Sequence, residues 1–209
     1  MSATLFHSRP CIEWGAAAQT IPGETVSGDL HLVKPLAHGA LVAVVDGLGH
    51  GEEAATAAKT AVAVLEEKPD QSVIALIKRC HDALRKTRGA VMTLASFNML
   101  EGTVSWLGVG NVEGVLLRAD TRAAPASEAA FLRGGVVGYQ LPPLRASVIA
   151  IAPDDLLILA SDGIGSGFSQ NLPVTDPAQD IADRILTQHF KGNDDALALV
   201  VRYLGTPHE

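Results

Sequence analysis

The 209-residue sequence has only two cysteines, Cys11 and Cys80, and their separation suits no metal-binding spacing. A phosphate-cradling cysteine loop needs an arginine six positions after the nucleophile. Ala17 and Lys86 occupy those places, which excludes that chemistry. Both cysteines are read instead as small core hydrophobes. Basic residues are outnumbered, 16 Lys and Arg against 23 Asp and Glu, for a net charge of −7. That balance argues against binding the phosphate backbone of a nucleic acid. No segment approaches the ~20 apolar residues that span a bilayer. The opening MSATLFHSRPCIEW also lacks a basic stretch followed by an apolar one, the mark of a secretory signal. The expectation is a soluble cytoplasmic protein that binds neither membrane nor nucleic acid.

Apolar residues, at 47%, suffice for a sizeable core and exclude disorder as the general description. The length suits one domain over residues 1–209. Apolar runs at Ile12–Ala18, Leu30–Val33 and Leu41–Val45 predict strands. EEAATAAKTAVAVLEE predicts an Ala-rich helix from Glu52 to Glu67, with an acidic first turn suited to the helix dipole and Pro69 as its stop. A second helix is expected from Gln71 to Arg88. AVMTLASFNML, TVSWLGVG and VEGVLLR then read as an antiparallel meander, and residues 119–129 as an exposed loop. Strands are expected at Ala130–Arg133, Ser147–Ala152 and Asp155–Ala160, a helix at Asp176–Phe190 and a last strand at Ala196–Leu204. Strands, a helical pair, strands, a helix and a strand make an α+β pattern rather than βαβ alternation.

Aspartates mark the places where chemistry could sit. Asp29 lies in SGDLHLV, Asp46 in LVAVVDGLGHG, Asp162 in LLILASDGIGSG, and Asp194 and Asp195 in GNDDALALVV. Singly, each has an ordinary explanation as a turn or cap residue. Jointly they border apolar strands, where an uncompensated carboxylate is costly. A cation would relieve that cost. The donors, carboxylates and the carbonyl of Gly47, are all oxygen and match hard ions such as Mg²⁺ or Mn²⁺. Several carboxylates in one place also suit a two-metal centre.

The set GD, DGLGHG, SDGIGSG and GNDDA, in that order over about residues 12–203, resembles the metal-dependent PP2C (PPM) serine/threonine phosphatases. The wording is most similar to the bacterial SpoIIE-like branch and, on length and content, to its RsbX-type stressosome phosphatases. The resemblance implies an αββα sandwich, two central antiparallel sheets flanked by helix pairs. It further implies two Mn²⁺ or Mg²⁺ ions, whose bound water is the nucleophile, so that no phosphoenzyme forms. Asp46 matches the carboxylate that bridges both metals, and Gly47 offers its carbonyl. Asp162 and Asp194 match ligands of the second metal, and Asp29 an acidic residue near the first. The implied substrate is phosphoserine or phosphothreonine on a STAS-domain protein, either a stressosome scaffold or an anti-sigma-factor antagonist as in SpoIIE- and RsbU-like enzymes.

There are departures from the pattern. TVSGD lacks the arginine with which animal-type members grip phosphate, so the grip is expected to come mainly from the metals. His50 stands three residues after Gly47 instead of directly following the DG pair, and is a candidate general acid with a helix-start role as the alternative. Asn111 in GVGNVEG is read as a turn residue. Arg133 and Arg145 flank GGVVGYQLPP and either line the substrate approach or are surface residues. Of the adjacent pair, Asp194 is expected to be the ligand and Asp195 to face away, with Asp195→Asn the milder change.

Two other classes compete with this reading. A dinucleotide-binding turn fails because Glu52 takes the place of the third glycine in G-x-G-x-x-G, and Glu52 and Glu53 put negative charge where pyrophosphate would bind. A non-catalytic binding module has no physical reason to keep these carboxylates together.

Overall fold

The computed structural model describes residues 10–120 and 122–205. The chain runs β1 (Ile12–Gln19), β2 (Asp29–Leu36), β3 (Gly39–Gly47), α1 (Glu52–Glu67), α2 (Val73–Leu84), β4 (Ala90–Asn98), β5 (Thr103–Val109) and β6 (Glu113–Leu117). It continues with β7 (Ser127–Ala129), β8 (Leu132–Arg133), β9 (Ser147–Ala150), β10 (Leu156–Ala160), α3 (Ala178–His189) and β11 (Ala196–Tyr203).

Apolar runs without alternation become strands covered on both faces. In β3, Val42 and Val44 join the core between the sheets, while Leu41, Ala43 and Val45 face α1 and α2. In β11, Leu197 and Leu199 face inward, while Ala198 and Val200 pack under α3. One sheet has the order β1-β11-β10-β6-β7 and the other β2-β3-β4-β5-β8, with β9 also paired to β5. The layers are therefore a helix pair, two sheets face to face, and a helix. Among the described residues the β1-β11-β10-β6-β7 sheet is covered by α3 alone, one helix where a pair was expected.

The helices lie close because small residues let them. Ala54, Ala57, Ala58 and Ala61 are the buried stripe of α1. A Cβ on Gly47 would stand 2.1 Å from the carbonyl oxygen of Ala54. On the far side, a Cβ on Gly15 would stand 2.3 Å from the Gln179 backbone in α3. Both cysteines are buried, as expected.

Boundaries differ from expectation where local hydrogen bonds intervene. The Ser72 hydroxyl accepts from the Ala75 amide and starts α2 two residues late, and a turn at Thr87 and Gly89 ends it before Arg88. Helix α3 begins after Pro177, which cannot donate within it. The meander stops at β5, because β6 crosses to pair with β10 in the other sheet. The expected loop over 119–129 ends in β7, and Thr121 lies outside the described residues. Residues 130–133 shrink to the short β8, whose pairing with β5 is parallel; every other strand pairing among the described residues is antiparallel. No helix among them is long and apolar enough to cross a membrane.

Candidate active site

Strands β2 and β3 pair so that Asp29 stands directly opposite Asp46. Directly opposed residues project to one face, so the register alone brings these two carboxylates together. Asp46 is two residues beyond Val44 and shares its side, at the mouth of the space between the sheets. The other sheet answers from β10 and β11. Its Ser161 hydroxyl donates to Asp29 Oδ2 at 2.6 Å and accepts from the Leu197 amide at 2.9 Å. One side chain thereby ties both sheets at the aspartates, with Asp162 next in the chain. Asp162 Oδ2 accepts from Asn111 Nδ2 at 2.7 Å, and Lys191 Nζ donates to the Asp162 carbonyl at 2.6 Å.

These carboxylates raise one another. Burial, then repulsion from Asp29, Asp162, Asp194 and Asp195, pushes Asp46 up to about 9. Burial also dominates at Asp29, only 4% exposed and raised to about 7; the Ser161 hydrogen bond opposes the shift, and Asp195, Asp162 and Asp194 add to it. Asp162 is raised by burial and by Asp194, against the pull of Lys191 and Asn111. Among the described residues, no three acidic, histidine or cysteine side chains close into a ready cage for an ion. The arrangement is an open ring of oxygens held at Coulombic rather than contact distance.

Asp195 has a different task from its neighbour. It is 3% exposed, and its two oxygens accept from the backbone amides of Ile21 at 2.8 Å and Gly28 at 2.6 Å. The Gly28 carbonyl in turn accepts from the Gly47 amide at 3.1 Å. A buried carboxylate just before β11 thus fixes the loop before β2 and, through Gly28, the Asp46–Gly47 peptide. Asp194 only accepts from the Asp195 amide, at 2.8 Å, and is the less buried of the two.

The structure gathers Asp29, Asp46, Gly47, Asp162 and Asp194 at one end of the two sheets. The His50 side chain is 61% exposed, and its Nδ1 lies 2.6 Å from Glu24 Oε1. Asn111, read as a turn residue, does occupy the turn between β5 and β6, and it also holds Asp162. Ser161 and Lys191 were not singled out beforehand. Their signal was adjacency, Ser161 beside Asp162 in SDG and Lys191 three residues before Asp194.

The model of the family described as stage II sporulation protein E (SpoIIE) matches residues 37–204. The phosphoserine phosphatase RsbX of Bacillus subtilis (strain 168) is 29% identical over 94 residues, 45% of this chain and 47% of its own length, so the match spans about half of that relative. A solved chain from work on the bacterial stressosome, as a modular system adapted to control secondary messenger signalling, is 30% identical with a TM-score of 0.83. The superposition covers 91% of this chain and 99% of that one. The crystal structure of RsbX in complex with magnesium superposes with a TM-score of 0.81 at 19% identity, over 91% and 94% of the two chains.

Two outcomes follow from this geometry. A carboxyl with a folded pKa above its unfolded value keeps its proton in the folded chain after the unfolded chain has lost it. The folded state then binds more protons between about pH 4 and pH 9, and stability falls as pH rises through that window. In EDTA, calorimetry should give a lower Tm at pH 8 than at pH 6. Asp46→Asn should raise the pH 8 value by at least about 3 °C, the shift that 1 kcal/mol makes at this size. A Tm that climbed towards pH 8 would contradict the repulsion. Secondly, Asp195→Asn leaves one of two buried amides facing an NH₂ group and should cost about 1–3 kcal/mol in urea unfolding, while Asp194→Asn costs less. For stability, the milder substitution is then at Asp194, the reverse of the order expected for activity. Equal unfolding midpoints for the two variants would remove the clamp from the account.

Proposed function

The chain belongs to the stage II sporulation protein E (SpoIIE) family of PP2C-type phosphatase domains, and on that basis we propose that it is a metal-dependent protein serine/threonine phosphatase. Its substrate in this reading is a phosphorylated STAS-domain protein of the stressosome, and its setting the cytoplasm. The observation that carries the reading is the meeting of Asp29, Asp46, Asp162 and Asp194, with the Gly47 peptide, at the join of the two sheets. The stressosome chain and RsbX, among the similar proteins, support the choice of substrate class.

The residues suit hard divalent ions. The donors are oxygens throughout, and the carboxylates carry more mutual repulsion than the nearby Lys191 offsets. The magnesium complex of RsbX agrees with this choice. Two Mg²⁺ or Mn²⁺ ions would be held by Asp46, the Gly47 carbonyl, Asp162 and Asp194, with Asp29 nearby. When bound, such ions lower the pKa of water and neutralise charge developing on a phosphoryl group.

The remaining work falls to the chain. Asn111 orients Asp162 by donating to one oxygen, leaving the other for an ion. The Asp195–Gly28 relay holds the Gly47 amide, and the Leu48 amide, in the same peptide as the Gly47 carbonyl, donates to the Gly89 carbonyl. Lys191, pinned by the Asp162 carbonyl, keeps two further N–H bonds at the rim, where a phosphoryl oxygen would be stabilised. His50 is engaged by Glu24 and receives no step in the reaction. No side-chain nucleophile is required, and neither cysteine is available: both are buried, and burial pushes the Cys80 thiol up to about 12.

The test is phosphate release from phosphorylated stressosome STAS proteins and, in parallel, from a phosphorylated anti-sigma-factor antagonist. Turnover should need Mn²⁺ or Mg²⁺ and vanish in EDTA. Asp46→Asn, Asp162→Asn and Asp194→Asn should each lower kcat/KM by at least about 100-fold. Undiminished turnover in EDTA would overturn the mechanism, and preference for the antagonist would overturn the substrate.

A further inference from the structure

The sequence GGVVGYQLPP is bracketed by Arg133 and Arg145, and the fold brings these two arginines together. Strands β8 and β9 both pair with β5, β8 at its end and β9 at its start. The space between them is a cavity of about 420 Å³ lined by Phe131, Arg133, Arg145 and Ser147. Its charge is unbalanced. Every other arginine among the described residues lies in an ion pair with a carboxylate, whereas Arg133 and Arg145 have none. The Arg133 Nε is buried without an acceptor, and its guanidinium rests 4.9 Å from the centre of the Phe131 ring. Phe131 itself is 68% exposed. In a chain with net charge −7, two unpaired guanidiniums and an uncovered aromatic ring in one cavity form a site for an anion from outside.

The cavity lies near the acidic cluster along the sheet, one residue off its row: Val45, Met92, Val109 and Arg133 are in register, so Arg133 leaves its strand on the face opposite Asp46. Asp46 faces Val91 in β4, Gly110 packs against Val91, and the Gly110 amide donates to the Arg133 carbonyl at 2.9 Å. Asn111, which holds Asp162, is the next residue. Three strand spacings separate the backbones of Arg133 and Asp46, roughly 14 Å, and the two faces meet at the strand ends. An extended peptide covers that distance in roughly four residues.

We propose that Arg133 and Arg145, with Phe131, form an oxyanion-binding subsite that selects protein substrates carrying an acidic group about four residues from the phosphorylated serine or threonine. The assignment rests on the phosphatase reading above. The shared ligand chemistry is an oxyanion, a carboxylate or a second phosphate. The aromatic ring supports the chain that bears it, and the arginine forks fix its position.

The test uses phosphoserine peptides with Glu four residues to either side, the same peptides with Gln there, versions with a second phosphoserine there, and p-nitrophenyl phosphate. Wild-type protein with Mn²⁺ should show a KM about tenfold lower for Glu than for Gln peptides, with kcat little changed. Arg145→Gln, an exposed change that leaves the core alone, should shrink that preference, and Arg133→Gln with Arg145→Gln should abolish it. Turnover of p-nitrophenyl phosphate should remain at the wild-type level in both. Stronger preference for the second phosphoserine than for Glu would identify phosphate as the source of the oxyanion. No preference in the wild type, or one that survives the double change, would overturn the subsite. Absence of turnover for every compound would overturn the phosphatase reading instead. Fluorescence anisotropy of labelled Glu and Gln peptides would then still decide the subsite: a Glu preference lost in the double variant supports it, and equal binding refutes it.

Discussion

Carboxylates crowded at the ends of strands from both sheets repel one another, and much of the surrounding structure works against that repulsion. Asp29 and Asp46 are opposed by strand register, so neither can withdraw without breaking the β2–β3 ladder. Ser161 donates to Asp29, Asn111 to Asp162, and Lys191 places its charge beside the Asp162 peptide. These contacts reduce the repulsion, yet burial first and the remaining repulsion second still hold Asp46 far above the ordinary carboxylate range. A divalent cation is the counter-charge that such a set calls for.

Rigidity under the cluster comes from strands buried on both faces. Residues of β3 alternate between the core shared by the sheets and the core beneath α1 and α2, and those of β11 do the same beneath α3. A strand gripped on two sides cannot tilt to relieve strain at its end, so Asp46 and the Asp194–Asp195 pair are carried on fixed supports. The division of labour within that pair follows from the same geometry. Asp195 spends both oxygens on backbone amides and becomes part of the scaffold, which leaves Asp194 to face the open side.

Much of this was legible in the residues. The span Glu52–Glu67 was readable because its alanine content, an acidic first turn and Pro69 all agree. The aspartate motifs were readable because each ends or begins an apolar run. Long-range facts were not. Nothing local says that β6 leaves the meander for β10, or that, among the described residues, one helix rather than two covers the sheet of β1 and β11. Asn111 reads as a turn because that is its local role; its bond to Asp162 spans 51 positions of sequence. Arg133 and Arg145 look like ordinary surface charges until β8 and β9 are laid against the same strand.

The central proposal is that these carboxylates, Asp46 among them, would hold divalent ions. Crystals grown with Mn²⁺ and measured at the manganese absorption edge test it most directly. The account gives anomalous peaks beside Asp46, touching the Gly47 carbonyl and the carboxylates of Asp162 and Asp194, and no such peaks in crystals of Asp46→Asn. Ordered manganese elsewhere with none at Asp46, or peaks unchanged by the substitution, would contradict it.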